Sequence, residues 1–253
     1  MSEEIFNIEE YLNSLPEDIE TIDISSKNIT YLPSLKRFHN LKTLYCDHNE
    51  LTQLPELNSS LIKLSCYNNQ LTQLPELNNH LKVLSCEHNL LTQLPKLNSS
   101  LKKLYCDHNK LTQLPELNSS LKLLSCQHNL LTQLPELNSC LEALFCEENK
   151  LTQLPELNSS LAYLYCQNNK FPFKISNGGY LLHEKINEFN LKFKCLKRFK
   201  EIYYLLKFKR QFRDWLWIKV RLPRIQNQYH PDHLDDFLYT VNDEDLYERL
   251  NNW

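Results

Sequence analysis

The sequence predicts an α/β-type solenoid, a stack of short coils with parallel strands on one face and extended returns on the other, followed by a helical C-terminal region. Three observations carry that expectation. Leu-Thr-Gln-Leu-Pro occurs at 51–55, 71–75, 91–95, 111–115, 131–135 and 151–155, always at the same spacing. A unit this short is one strand and one return, and it buries its apolar face only by stacking on its neighbours. Within each copy a five-residue run alternates apolar and polar, as in Lys103-Leu104-Tyr105-Cys106-Asp107, the mark of a strand with one buried face. A proline closes each pentapeptide and favours an extended or short 3₁₀ return over an α-helix.

Counting each copy from the leucine at 41, 61, 81, 101, 121, 141 or 161, apolar residues fall at positions 1, 4, 6 and 11, and in all but the last also at 14 and 17. Positions 4 and 6 (Leu104 and Cys106) are predicted to point inward, and positions 3, 5 and 7 (Lys103, Tyr105 and Asp107) outward. Asn stands at position 9 in every copy, at 49, 69, 89, 109, 129, 149 and 169. Its short amide can bond the backbone of its own and the next coil where the chain leaves the strand. The first copy is slightly longer than the others and carries Lys27 where Asn is expected, so residues 1–40 read as an N-terminal cap with an atypical first repeat. Regular repeats then fill 41–170, and 171–253 is the C-terminal region.

These positions reproduce the pattern L-x-x-L-x-L-x-x-N/C-x-L, and the chain from about Ile19 to Cys166 resembles the leucine-rich repeat family. The resemblance implies a right-handed stack of about eight coils whose strands line a concave face. The 20-residue length and the Leu-Pro are similar to the short repeats of bacterial effector proteins. The cysteine at position 6, the Asn/Lys/Tyr-rich composition and the basic aromatic tail resemble repeat proteins of giant DNA viruses of amoebae. Some effectors with this repeat length carry a downstream ubiquitin ligase domain, and the roughly 80 residues after the repeats are too few for one.

Seven of the nine cysteines (46, 66, 86, 106, 126, 146 and 166) occupy position 6. Stacked strands would bring neighbouring thiols close, but with every Cβ vector pointing the same way the geometry is poor for disulfides. The expectation is a ladder of small buried hydrophobes in a reducing compartment. His48, His88, His108 and His128 share position 8, at the strand exit. A Cys-x-His pair looks like a ligand pair, yet position 6 faces in and position 8 out. A solvated, pH-sensitive imidazole column is expected there rather than a metal site.

The copies differ at positions 2, 3, 5, 7, 8 and 10 and scarcely elsewhere. The variable face mixes lysines (Lys42, Lys63, Lys82, Lys102, Lys103 and Lys122), acids and aromatics. Tyr45, Tyr67, Tyr105, Phe145, Tyr163 and Tyr165 are the candidate protein-binding residues, since exposed aromatics on a rigid sheet make interface anchors. The acids at position 7 oppose nucleic acid on this face. No phosphate-binding loop, nucleophile elbow or zinc-helix motif occurs, so neither catalysis nor a cofactor or metal is expected.

After Cys166 the chain changes character. Ser176-Asn-Gly-Gly179 reads as a turn or hinge. Residues 184–224 carry a net charge of +9 with many aromatics and read as one or two helices; 225–253 carry a net −6. The basic part can cap the last coil, bind an anionic membrane or nucleic acid, or dock a protein, and the acidic end can fold back onto it. With an acidic N-terminus and no uncharged 18-residue apolar run, the expectation is an intracellular, cytoplasmic monomer that binds a protein partner and is not an enzyme.

Overall fold

The computed structural model describes residues 6–172 and 183–224. An N-terminal helix, α1 (Ile8–Ser14), precedes eight three-residue strands: β1 (Thr21–Asp23), β2 (Thr43–Tyr45), β3 (Lys63–Ser65), β4 (Val83–Ser85), β5 (Lys103–Tyr105), β6 (Leu123–Ser125), β7 (Ala143–Phe145) and β8 (Tyr163–Tyr165). They form one parallel sheet in sequence order, each pairing with the next in unbroken register, Leu104 with Leu124 and Leu124 with Leu144. The long helix α2 (His183–Leu216) ends in a π-helical turn at Trp217–Arg221. The chain divides into two compact units, 1–193 and 194–253. The turn or hinge expected at 176–179 and the acidic stretch 225–253 lie outside the described residues.

The core is a set of columns running through the stack. Ile22 and the leucines at position 4 (44, 64, 84, 104, 124, 144 and 164) are buried, as are those at positions 1 and 11 and all seven position-6 cysteines. Each thiol is pushed up from its ordinary pKa chiefly by burial, and Cys166, at the end of the ladder, reaches about 12. Cys106 Sγ donates to the Ser125 carbonyl at 3.2 Å, the acceptor that also takes the Cys106 backbone N–H. The thiol therefore stays protonated and doubles a backbone bond between coils. The returns are extended and closed by a turn, with Leu61 N–H on the Asn58 carbonyl and Leu161 N–H on that of Asn158; among the described residues no 3₁₀-helix forms there.

Two asparagine ladders clamp the coils. Asn109 donates to the Cys86 carbonyl at 3.0 Å, to Cys106 at 3.2 Å and to Asp107 at 3.1 Å, while its Oδ1 accepts the Leu91 N–H at 3.0 Å. The coil it reaches is the preceding one, not the next, because position 9 hangs back beneath the previous turn. In the atypical first copy, Asn49 of the second coil accepts from both Lys27 and Ile29. The second ladder, at position 18, goes beyond what the repeat pattern predicts. Asn78 bonds the Asn58 carbonyl at 2.9 Å, Asn98 that of Asn78 at 2.8 Å, and Asn158 that of Asn138 at 2.7 Å. Oδ1 of Asn98 meanwhile accepts the Ser100 N–H at 2.8 Å as an Asx turn.

Both ends of the stack are closed. α1 starts at Asn7, whose side chain accepts the Glu10 N–H, and it buries Ile8 and Leu12, one helical turn apart. Arg37 donates to the carbonyl of Leu12, which also accepts the Leu15 N–H, and to that of Leu15, and lies over Phe38, 4.6 Å from guanidinium carbon to ring centroid. At the far end Asn190 of α2 grips Leu157 bidentately, accepting its N–H at 2.8 Å and donating to its carbonyl at 2.9 Å. Leu157 is buried, whereas Leu117 and Leu137 at the same position are only partly so.

Two outcomes follow. Asn109→Ala strips four bonds from buried backbone and is expected to cost roughly 2–4 kcal/mol, against under about 0.5 kcal/mol for exposed Lys103→Ala, in denaturant melts. Similar losses at the two sites would contradict the ladder. Native labelling with a thiol reagent should modify Cys140 and Cys195, the two exposed cysteines, and reach all nine only after denaturation.

Candidate interaction surface

Position 5 ends each strand, and position 7 lies just beyond it. The acids at position 7 do not stand out in solvent as their alternation predicts. The Asp47 carboxylate is buried; it accepts the Ser65 hydroxyl at 2.7 Å and the Tyr67 N–H at 3.0 Å. Asp107 repeats this with the Ser125 hydroxyl at 2.7 Å and the Gln127 N–H at 2.7 Å. Each carboxylate thus satisfies an N–H that the next coil leaves unpaired. Where the next coil carries Tyr105 instead of serine, Glu87 takes the hydroxyl of Ser85 in its own coil. Burial raises the pKa of Asp47, Glu87, Asp107 and Glu147 above the usual carboxylate range, against the lowering effect of the hydrogen bonds on the first three. The signal for the paired aspartates is present in the sequence as Asp47/Ser65 and Asp107/Ser125, each joining position 7 of one coil to position 5 of the next.

Position 8 adopts the left-handed backbone in every coil from Ser26 to Asn168, with φ between 49° and 56°. Asn tolerates this region and His is enriched in it, which fits the occupants Asn68, Asn168 and the four histidines. The turn projects the side chain outward. His88, His108 and His128 stack face to face, ring centroids 4.1 Å apart at both steps. His108 is held below the ordinary imidazole pKa by burial first, then by His88 and His128. In-plane lone pairs of parallel rings do not converge on one ion, and among the described residues no His/Cys/Asp/Glu group is arranged to hold a metal. His48 is placed differently. The Asn68 amide nitrogen lies 2.6 Å from its Nδ1, which assigns Nδ1 as acceptor and leaves Nε2–H to donate to the Tyr67 hydroxyl at 2.8 Å.

The six candidate aromatics fall in three places along the sheet. Tyr45 on β2 is half-buried; the Lys63 ammonium donates to its hydroxyl at 3.0 Å and sits 4.7 Å from its ring centroid. Tyr67 stands beside it, one coil on. Tyr105 on β5 is half-buried at the centre, its hydroxyl pKa raised by burial and then by Glu87 and Asp107. Phe145 and Tyr165 stack at 5.2 Å on β7 and β8, with Tyr163 on β8 43% exposed. Between the Tyr45/Tyr67 pair and the Phe145/Tyr165 pair lie β4–β6, about 19 Å at the usual strand spacing, so the six are two clusters and a midpoint, not one patch.

Similar folds place this architecture. YopM, a leucine-rich effector protein from Yersinia pestis, shares 36% identity over 59% of this chain and 43% of its own, with a TM-score of 0.57. A Shigella effector leucine-rich repeat domain shares 30% identity over 65% of this chain and 74% of its own, with a TM-score of 0.56. The chain is a leucine-rich repeat protein. A leucine-rich repeat protein from Leptospira interrogans follows at 27% identity, 63% and 51% coverage and a TM-score of 0.51. The chain spans less than half of the YopM chains it matches, 43% in Y. pestis and 40% in Y. enterocolitica. No protein-family model matches the chain, and the search of curated proteins finds no match. These matches do not show the likeness to viral repeat proteins, which rests on the position-6 cysteine, the composition and the basic aromatic tail.

The imidazole stack gives the fold a signed pH dependence. The folded His108 takes up a proton less readily than the unfolded residue, so its effect is absent above about pH 6.5 and destabilises as pH falls below that. The raised carboxylates act oppositely and in a lower window: acidification towards about pH 4 stabilises through them. His108→Asn keeps a residue that suits the left-handed turn. Its melting temperature is expected to fall less than that of the wild type between pH 7.5 and 5.5, and equal falls would remove the stack as the cause.

Proposed function

We propose that the repeat region, 41–170, is a non-enzymatic protein-interaction module whose partner binds the strand face, between an N-terminal cap at 1–40 and a helical region at 171–253. One observation carries the reading: the strand face displays Tyr105, Phe145, Tyr163 and Tyr165, and the Asp107 carboxylate, two residues on from Tyr105, is already hydrogen-bonded to Ser125 and Gln127 within the stack. Aromatics held on a rigid sheet whose central acid is paired internally lose little on desolvation, which is where interface energy concentrates. The folds that resemble this chain are leucine-rich effector proteins and repeat domains, in keeping with a binding role. The site comprises Tyr45, Tyr67, Tyr105, Phe145, Tyr163 and Tyr165, and stacked Phe145/Tyr165 is its principal anchor.

A second reading has its own observation. Among the described residues no helix is long and apolar enough to cross a membrane, but α2 exposes aromatics beside Lys and Arg, the make-up of a peripheral binder of anionic membrane or nucleic acid through 184–224.

Capture from a cell extract separates the two. Phe145→Ala and Tyr105→Ala should each weaken capture of a saturable protein partner roughly tenfold without lowering the melting temperature. Full capture by both variants would move the functional surface to 184–224.

A further inference from the structure

The part of α2 beyond Lys194 displays more apolar surface than an isolated soluble helix tolerates. Tyr204, Phe208, Phe212 and Trp215 follow each other at intervals of four, four and three positions, which sets them on one helix face. Phe208 is 70% exposed, and the other three are more than half exposed. The Phe212 and Trp215 rings already stack at 5.9 Å, so the stripe is ordered rather than a scatter of single exposed residues. At about 100° per residue, Lys207 and Lys209 flank it on either side, and both are exposed. A contiguous aromatic stripe with a basic rim marks a surface that something covers.

We propose that the chain's own acidic segment, 225–253, covers it. The segment carries a net −6 against the +9 of 184–224. Its charges are interspersed with apolar residues, as in Leu234-Asp235-Asp236-Phe237-Leu238 and Asp243-Glu244-Asp245-Leu246, so it supplies carboxylates for the rim and side chains for the stripe together. Reach does not limit it. The segment begins directly after Arg224 and extends to roughly 95 Å, against about 30 Å of helix from Tyr204 to Arg224. A direct tether gives an effective concentration on the order of millimolar, which an unlinked competitor must exceed. The covered helix is a masked polyanion-binding face, whatever the strand face of the repeats binds. An anionic surface engages it only by displacing the acidic segment, and salt loosens the cover, since a Debye length is about 10 Å at 0.1 M.

The test uses the full chain. A carbodiimide joins lysine amines to carboxylates at zero length, and an equimolar mixture of ¹⁵N-labelled and unlabelled protein tells links within a chain from links between chains. The expected result is Lys207, Lys209 or Lys219 linked to carboxylates of 235–245, isotopically unmixed and depleted at high salt. Isotopically mixed links would make the occupant a second copy, and the absence of such links would leave the stripe uncovered; either overturns the proposal. In the full chain, Asp235→Asn, Asp236→Asn, Asp243→Asn and Asp245→Asn combined should raise retention on phosphatidylcholine vesicles containing phosphatidylserine by roughly tenfold over the wild type. Equal retention would show a face that the segment does not mask. The wild-type cross-linking arm stands even if the combined variant fails to fold, and neither arm depends on Phe145 or Tyr105.

Discussion

A coil this short cannot close its own hydrogen bonds, and the asparagine at position 9 is the answer the whole stack depends on. Where each strand ends, the chain turns inward through a left-handed residue, burying carbonyls at positions 6 and 7 and an N–H at position 11, of which only the position-7 carbonyl has a backbone partner, the position-8 N–H of the preceding coil. One amide, with two donors and an acceptor, meets all three and takes the position-11 N–H and a second position-6 carbonyl from the preceding coil. At about 1–3 kcal/mol for each buried group left unpaired, this exceeds what any one exposed contact supplies. The bonds cross from coil to coil, so a coil is complete only when its neighbour is present, and stability propagates along the array. The position-18 ladder repeats the device at the returns, which explains how a return without a helix stays ordered.

The turn that needs position 9 also shapes the strand face. The left-handed residue at position 8 sits between a buried asparagine and a half-buried carboxylate, so its side chain has only solvent and its counterparts in adjacent coils to meet. Histidines therefore stack on histidines of successive coils, centroids 4.1 Å apart. Asp47 and Asp107 at position 7 are drawn under the face by the next coil's backbone, and Glu87 by the serine of its own coil. The face then shows rings and lysines, with the aspartates recessed against buried Ser65 and Ser125. The face has a firmer floor and fewer loose charges than simple alternation implies.

What can be read from the sequence follows from which interactions are local. Inward Leu104 and Cys106, the parallel stack and the role of Asn109 are all legible, because period and alternation act within a coil or repeat without change. The recessed acids are not, since their partners lie in the neighbouring coil and alternation gives no sign of them. The Asn bonds run to the preceding coil rather than the next, and a repeat pattern has no inherent before and after from which to read that direction. Asn58, Asn78, Asn98, Asn118, Asn138 and Asn158 recur nearly as faithfully as the position-9 residues; within Asn-Ser-Ser they read merely as part of the repeat. The single helix α2 is legible as a run without Gly or Pro, but its grip on the last coil through Asn190 is one side chain against one backbone and leaves no periodic trace.

The cross-coil bonds also constrain which faces this scaffold can present. Positions 5 and 7 vary between copies, but not independently. Asp47 and Asp107 at position 7 are each followed, one coil on, by a serine at position 5 small enough to let the carboxylate in. Glu87 and Glu147, one methylene longer, precede Tyr105 and Tyr165, which offer no serine hydroxyl at that position, and Glu87 bonds its own coil's serine instead. Each acid at position 7 is thus matched to the position-5 residue one coil on, aspartate to serine and glutamate to tyrosine, whereas the aromatics Tyr45 and Phe145 follow Ser25 and Gln127 and are free of that constraint. Where an acid is present the unit that varies is a pair of adjacent coils, so putting a tyrosine in the place of Ser125 would deprive Asp107 of the hydroxyl it binds.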